Sequence, residues 1–367
     1  MDKRKTILHI INNLGRGGAE IMLLTVLKEL KEYNNIVVYL YEENKFEGQL
    51  DCSKSYCLKL RSVLLLPFSF FKLRKIIKEN HVDMVHTHLF WSNIAGRYAT
   101  PKKIPLITTI HAFINYAPDY KKWYIRFLDR FSYQWRHSVI IGVCDGVLKQ
   151  YFEFLKIKPY KAYRLYTFVD TNRFHPDKNV KPQAQGVFKV FTTGTLHIRK
   201  NHSYLINAFA KLKEKNIELH IFGDGPYRKE LEALIQQTGA KVFLQGDVSD
   251  LHNRINEYNL YAMSSVFEGF SLSVLEAMAV GMPLLLSDIP SFREQGASTA
   301  IYFDLNDVDD FVNKIIKLIA DKPLLDKMGE AAKQRVIANF TLDHHMDSLR
   351  SIYDETLQNK NNSTFQL

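Results

Sequence analysis

Residues 5–41 read KTILHIINNLGRGGAEIMLLTVLKELKEYNNIVVYLY. The opening KTILHII is an apolar run of strand length, and NNLGRGG is a glycine-rich turn. AEIMLLTVLKELKEY carries apolar residues at helical spacing, and NIVVYLY returns to a strand-like run. Strand, turn, helix and strand in that order make a βαβ unit, whose strands must be parallel.

The rhythm continues outward from this unit. FSFFKLRKIIKEN reads as a helix, VDMVHTH as a strand, SNIAGRYA as a helix, and PLITTIHAF and SVIIGVC as strands. TNRFHPDKNVKPQAQGV (171–187) breaks the pattern with prolines, a glycine and polar residues, and is expected to be an interdomain linker. The alternation then restarts with FKVFTTG, NHSYLINAFAKLKEK, IELHIFG and RKELEALIQQTG, the last with Gly239 as C-cap. The expectation is an α/β protein of two doubly wound, Rossmann-like domains facing a central cleft. The first spans 1–170 and the second 188–340. The segment 341–367 forms a helix crossing back to the first domain, followed by a polar tail.

Composition restricts the class. The chain has 367 residues, 46% hydrophobic and 24% charged, which suits two globular domains rather than disorder. Three cysteines argue against a disulfide framework. The basic start resembles a signal peptide, but its apolar stretch is short and contains His9, so it reads as a strand. The apolar run SVLLLPFSFF (62–71) falls well short of the roughly 20 residues of a membrane span. A soluble, cytoplasmic protein is expected. Net charge is +10 and uneven: residues 1–175 carry 28 Lys+Arg against 15 Asp+Glu, the remainder 21 against 24. A basic first half suits an anionic membrane, a phosphorylated acceptor or nucleic acid. No helix-turn-helix or RNA-binding signature supports the last.

Candidate site residues cluster at strand ends, where ligands bind in such sheets. Gly15-Arg16-Gly17-Gly18 joins the first strand to the first helix without the G-x-G-x-x-G spacing, and suits a tight turn or a phosphate loop equally. His86 and His88 alternate on one strand face, two metal ligands with no third indicated. His111 ends the next strand. Arg199 and Lys200 precede a helix and suit a diphosphate. In VFEGFSLSVLEAMAVGMP (266–283), Glu268 lies in a loop and Glu276 a turn into a helix expected to begin near Ser271 or Leu272, with Ser271 or Ser273 as cap. That spacing fits a ligand cradle better than a close acid/base pair.

The ordered set of the Gly-Gly loop, HTH, IHAF, FVDTNRFHP, GTLHIRKNH, FGDGP, FLQGDV and EGFSLSVLEAMAVGMPLLLSD resembles the family 4 (group 1) glycosyltransferases, retaining enzymes with the GT-B fold. The resemblance implies that Glu276 binds the donor ribose and Glu268 the donor sugar. The amides of Gly269, Phe270, Ser271 and Leu272 approach phosphates and sugar, and Lys200 stabilises the departing diphosphate. Gly17 and Gly18 lie beside that diphosphate, His111 near the transferring sugar, and Val248 near the base. Gly194, Thr195 and Gly223 complete the donor side. Thr195 stands where the family usually has arginine, which leaves Arg199 as the second cation.

The implied activity is hexosyl transfer from a nucleotide-diphosphate sugar, UDP favoured, to a hydroxyl of a glycan or lipid-diphosphate acceptor in bacterial surface polysaccharide biosynthesis. Rival readings are an epimerase of the same architecture and a degenerate binding protein. No cofactor or metal is expected, because cations and helix amides can neutralise the leaving group. The aromatic, basic stretches 59–78 and 117–138 suit peripheral attachment to the inner face of the cell membrane.

Overall fold

The computed structural model describes residues 4–15, 17–176, 186–248 and 250–362. The chain divides into two compact units: the residues through Thr167 together with those from Asp343, and Phe168–Leu342. Arg16 and residues 177–185 of the expected linker lie outside the described residues, as do 363–367 of the expected tail.

The first unit holds β1 (Thr6–Ile11), β2 (Asn34–Tyr39), β3 (Lys54–Cys57), β4 (Met84–His88), β5 (Leu106–Ile110), β6 (Val139–Gly142) and β7 (Lys161–Arg164). Its helices are α1 (Gly18–Glu29), α2 (Leu66–Glu79), α3 (Phe90–Ala99), α4 (Trp123–Trp135) and α5 (Asp145–Leu155). The sheet order is β3-β2-β1-β4-β5-β6-β7, with every pair parallel. Order reverses beside β1, the switch point at which such sheets open a crevice. The central strands β1, β4 and β5 are buried along their whole length, and their threonines and histidines are buried with the apolar residues between them. The edge strands β3 (KSYC) and β7 (KAYR) escape that reading because they are largely solvent-facing and polar.

The second unit holds β8 (Phe188–Thr193), β9 (Ile217–Phe222), β10 (Val242–Gly246), β11 (Leu260–Met263), β12 (Leu284–Ser287) and β13 (Ala300–Phe303). Its helices are α6 (His202–Lys211), α7 (Arg228–Thr238), α8 (Leu251–Arg254), α9 (Leu272–Ala279), α10 (Pro290–Gly296), α11 (Val308–Ala320) and α12 (Lys322–Asn339). The sheet order β10-β9-β8-β11-β12-β13 repeats the doubly wound plan. Gly239 ends α7 at φ +66.

The boundary precedes the expected linker. Phe168, Val169 and Phe174 are buried, and Val169 bridges to Thr341, so this stretch packs with the second unit. α13 (Leu342–Asn362) then belongs almost wholly to the first unit. Its buried Met346, Leu349 and Tyr353 form a stripe at helical spacing. Arg350 pairs with Glu32 at 2.7 Å, and the Tyr33 hydroxyl donates to Asp354 at 3.1 Å. In the same unit, buried Arg97 of α3 pairs with Asp129 of α4, and the Tyr120 hydroxyl also donates to that carboxylate. This network fixes the rotation of α4.

Candidate active site

In the second unit, glycine loops interlock at the strand ends. The Gly194 amide donates to the Phe222 carbonyl at 2.9 Å, and the Gly223 amide to the Gly246 carbonyl at 2.7 Å. Gly223 has φ +128, and a Cβ there would lie 2.2 Å from the Gly194 oxygen, so no side chain fits. Gly194 has φ +144, and a Cβ on it would lie 2.9 Å from Lys200 Cε. The lysine therefore runs directly over this glycine.

Lys200 ends a short 3-10 turn anchored from β11 and its loop. Ser264 Oγ donates to the carbonyls of Lys200 (3.1 Å) and Asn201 (2.8 Å), and the Val266 amide donates to the Arg199 carbonyl at 2.9 Å. The Lys200 ammonium meets Glu268 Oε1 at 2.7 Å, and Ser265 Oγ donates to the same oxygen at 2.9 Å. Both charged residues are buried, 7% and 8% exposed. Burial alone would raise the Glu268 carboxyl. The Lys200 charge and hydrogen bond, with Arg199 and Ser265, outweigh it and hold the group below its ordinary value. Burial, with the nearby Lys200 charge, lowers His202 to about 4.

Glu276 has the opposite environment. It is half-buried on α9, and burial pushes its pKa up to about 7, opposed by the charge of Arg173. Two acids in one unit are thus held in different states: Glu268 ionised against a cation, Glu276 poised near neutrality. α9 begins at Leu272 as the spacing predicts, but neither expected serine caps it. Ser271 occupies the N-cap position with no side-chain cap bond, because its Oγ pairs with Ser273 Oγ at 3.0 Å. Buried Gln295 braces the loop instead: it accepts from the Ser271 amide at 3.1 Å and donates to the Ser271 carbonyl at 2.7 Å. That removes the Ser271 amide from the expected phosphate donors. Phe270 is buried with its ring edge-on against Phe340.

The remaining candidates are placed as follows. Thr195 is exposed, Arg199 half-buried, and Val248 half-buried beyond β10. Gly17 and Gly18 belong to the first unit, exposed at the start of α1. His111 follows β5 in that unit; its Nε2 lies 3.3 Å from His88 Nδ1, and burial, with neighbouring His345, lowers it to about 4.

Comparison with known proteins accounts for this arrangement. Residues 16–173 match Glycosyltransferase Family 4, and residues 174–335 match Glycosyl transferases group 1. The chain is a family 4 glycosyltransferase. It is 26% identical over 318 residues to the UDP-Gal:alpha-D-GlcNAc-diphosphoundecaprenol alpha-1,3-galactosyltransferase of Escherichia coli, covering 80% of each chain. It is 26% identical to an N-acetylgalactosaminyltransferase of Campylobacter jejuni named for a diphospho-undecaprenol acceptor, covering 76% of this chain and 79% of that one. The structure of Anabaena HepE in complex with UDP and glucose superposes at TM-score 0.81 with 17% identity, over 95% of this chain and 99% of that one. The glycosyltransferase therefore has the GT-B fold. Its Arg173 and Gln295 carry no role in the sequence reading. Arg173 stands within FVDTNRFHP, in the segment expected to be a linker, and nothing in the spacing marks Gln295.

Proposed function

We propose that this glycosyltransferase moves a hexosyl group, with retention, from a UDP-sugar to a hydroxyl of an undecaprenyl-diphosphate-linked glycan in surface polysaccharide assembly. The observation that carries the donor half is the buried Lys200–Glu268 pair over Gly194. A buried ammonium already ion-paired at a strand end is preorganised for the charge that develops on a departing diphosphate. Arg199 supplies the second cation, its charge already felt at Glu268. Glu268 also meets the donor sugar, Glu276 accepts hydrogen bonds from the ribose, and Val248 lies by the base. Gly194, Thr195, Gly223, Gly269, Phe270 and Leu272 line the donor through their backbone. The sugar–phosphate bond breaks with its electron pair going to the diphosphate. The acceptor oxygen bonds the anomeric carbon on the same face and its proton passes to the leaving oxygen. No enzyme nucleophile or metal enters this step.

The acceptor half rests on relatives named for diphosphoundecaprenol acceptors and on one face of the first unit. Trp123, Phe127, Phe131 and Trp135 recur every four residues along α4, and all are exposed, Trp123 at 71%. Phe68 (66%) and Phe71 (71%) project from α2. Exposed Lys72, Lys75, Lys121, Lys122, Arg126 and Arg130 accompany them. Aromatic rows edged by cations suit the headgroup zone of an anionic bilayer. No described helix is long and apolar enough to cross a membrane, so attachment would be peripheral.

The test is turnover. UDP-sugars are offered with a short-chain polyprenyl-diphosphate GlcNAc acceptor, and UDP release and product anomeric configuration are read. An α-linked product from an α-donor supports the reading. A β-linked product refutes retention, release of free sugar without acceptor favours the epimerase, and no turnover with any UDP-sugar overturns the donor assignment.

A further inference from the structure

The first unit contains a group of histidines that the transfer reading leaves unused. His9 on β1 stands in register with His86 on β4, and His88 follows two residues on. Register partners in a parallel sheet, and alternate residues of one strand, share a face. All three rings therefore crowd one side of the sheet, with ring centroids 5.8, 6.1 and 4.2 Å apart for the pairs 9–86, 9–88 and 86–88. They border a cavity of about 30 Å³ roofed by α1 and α13. That is room for an atom-sized guest, since a single water needs roughly 10–15 Å³.

We propose that His9, His86 and His88 form a buried site for one divalent first-row transition-metal ion such as zinc. One ring nitrogen from each residue lies within 4.8 Å of the other two, and all three residues are buried. His9 Nδ1 and His88 Nε2 are buried with no hydrogen-bond partner among the described residues, a condition that native structures rarely leave unexplained. In both rings the opposite nitrogen is oriented from outside: His9 Nε2 by Asn35 Oδ1 at 3.3 Å, and His88 Nδ1 by His111 at 3.3 Å. One nitrogen held and the other presented is the pattern of metal-ligating histidine. His86 is hydrogen-bonded at both nitrogens, to Tyr353 at 2.6 Å and Thr109 at 2.7 Å. Ligation through either displaces one hydroxyl and leaves the other as the orienting partner.

Metal–nitrogen bonds of about 2.0–2.1 Å require the rings to close by roughly 1 Å into the cavity. Among the described residues no carboxylate lines that cavity, so the ion would be held by neutral imidazole nitrogens alone, which favours metals with high imidazole affinity over magnesium or calcium. The proposal does not rest on the transfer reading, although His111, which orients His88, is the residue the family resemblance places near the transferring sugar.

The test uses the full chain, stripped of metal and titrated with Zn²⁺ and Co²⁺. Close to one retained ion per chain is expected after desalting. Visible Co²⁺ d–d bands of a low-coordinate imidazole site are expected, and an unfolding midpoint by tryptophan fluorescence that rises with metal. His9→Gln and His88→Gln should each weaken retention at least about tenfold, while His220→Gln in the second unit should not. If either variant fails to fold, the wild-type Co²⁺ spectrum decides alone. No retained ion and an octahedral aqueous Co²⁺ spectrum would overturn the proposal, and so would undiminished binding in both folded variants.

Discussion

Glu276→Gln should stabilise the ligand-free second unit at alkaline pH while weakening donor binding. The Glu276 pKa moves from 4.5 to about 7 on folding, because burial disfavours the carboxylate. Between those values the folded chain holds a proton that the unfolded chain has released. Stability is therefore greatest below pH 4.5 and is lost as pH rises through 7. At 1.36 kcal/mol per pH unit, the loss is about 3 kcal/mol, an upper figure because Glu276 keeps some contact with solvent. Glutamine does not titrate. The stability of E276Q relative to wild type should therefore grow by about 3 kcal/mol between pH 4.5 and 8. In a unit of this size that is on the order of 10 °C in melting temperature.

The assay separates the two units. Trp91, Trp123 and Trp135 all precede Thr167, so tryptophan fluorescence follows the first unit and serves as an internal control. Far-UV circular dichroism sees both. The circular-dichroism transition should show the pH-dependent difference, and the fluorescence transition should show none. On the proposed reading, the carboxylate form of Glu276 is the one that accepts bonds from ribose hydroxyls. At pH 6 only about a tenth of the sites are ionised, so UDP should bind about tenfold more weakly than at pH 8, and E276Q should lose that dependence. A pH-independent stability difference, or equal pH dependence of UDP binding in the two proteins, would refute the reasoning.

Other perturbations probe the neighbouring parts. Lys200→Met should destabilise the second unit by about 3–5 kcal/mol in circular-dichroism melts, because Glu268 is left buried without its cation. Adding Glu268→Gln should recover that stability without recovering transfer. Gly194→Ala should lower kcat and cost about 1–3 kcal/mol of stability, through strain at φ +144 and displacement of the lysine above it. Replacing both Phe68 and Phe127 by serine should reduce co-sedimentation with anionic vesicles while leaving UDP affinity unchanged, since both side chains are exposed in the first unit.

What the sequence reveals and what it hides divide along a physical line. Mostly buried parallel strands carry short β-branched and apolar runs, so β1, β4, β5, β8 and β9 announce themselves despite their threonines and histidines, while the polar edge strands β3 and β7 do not. Gly194 and Gly223 are legible because only glycine tolerates their backbone angles, and Lys200 because it follows at fixed spacing. Partnerships between distant segments leave no local mark. The HTH spacing shows that His86 and His88 share a face, but not that His9, 77 residues earlier than His86, stands beside them; register alone places it there. Likewise, Ser271 looks like a helix cap until buried Gln295 takes its backbone groups. The two glutamates carry the same lesson into chemistry. Glu268 and Glu276 are one residue type eight positions apart, and nothing in the motif says which is ionised. A buried lysine 68 positions upstream holds one as a carboxylate, and desolvation on α9 brings the other near neutrality. Sequence supplies the groups, and the packing around each one decides its charge.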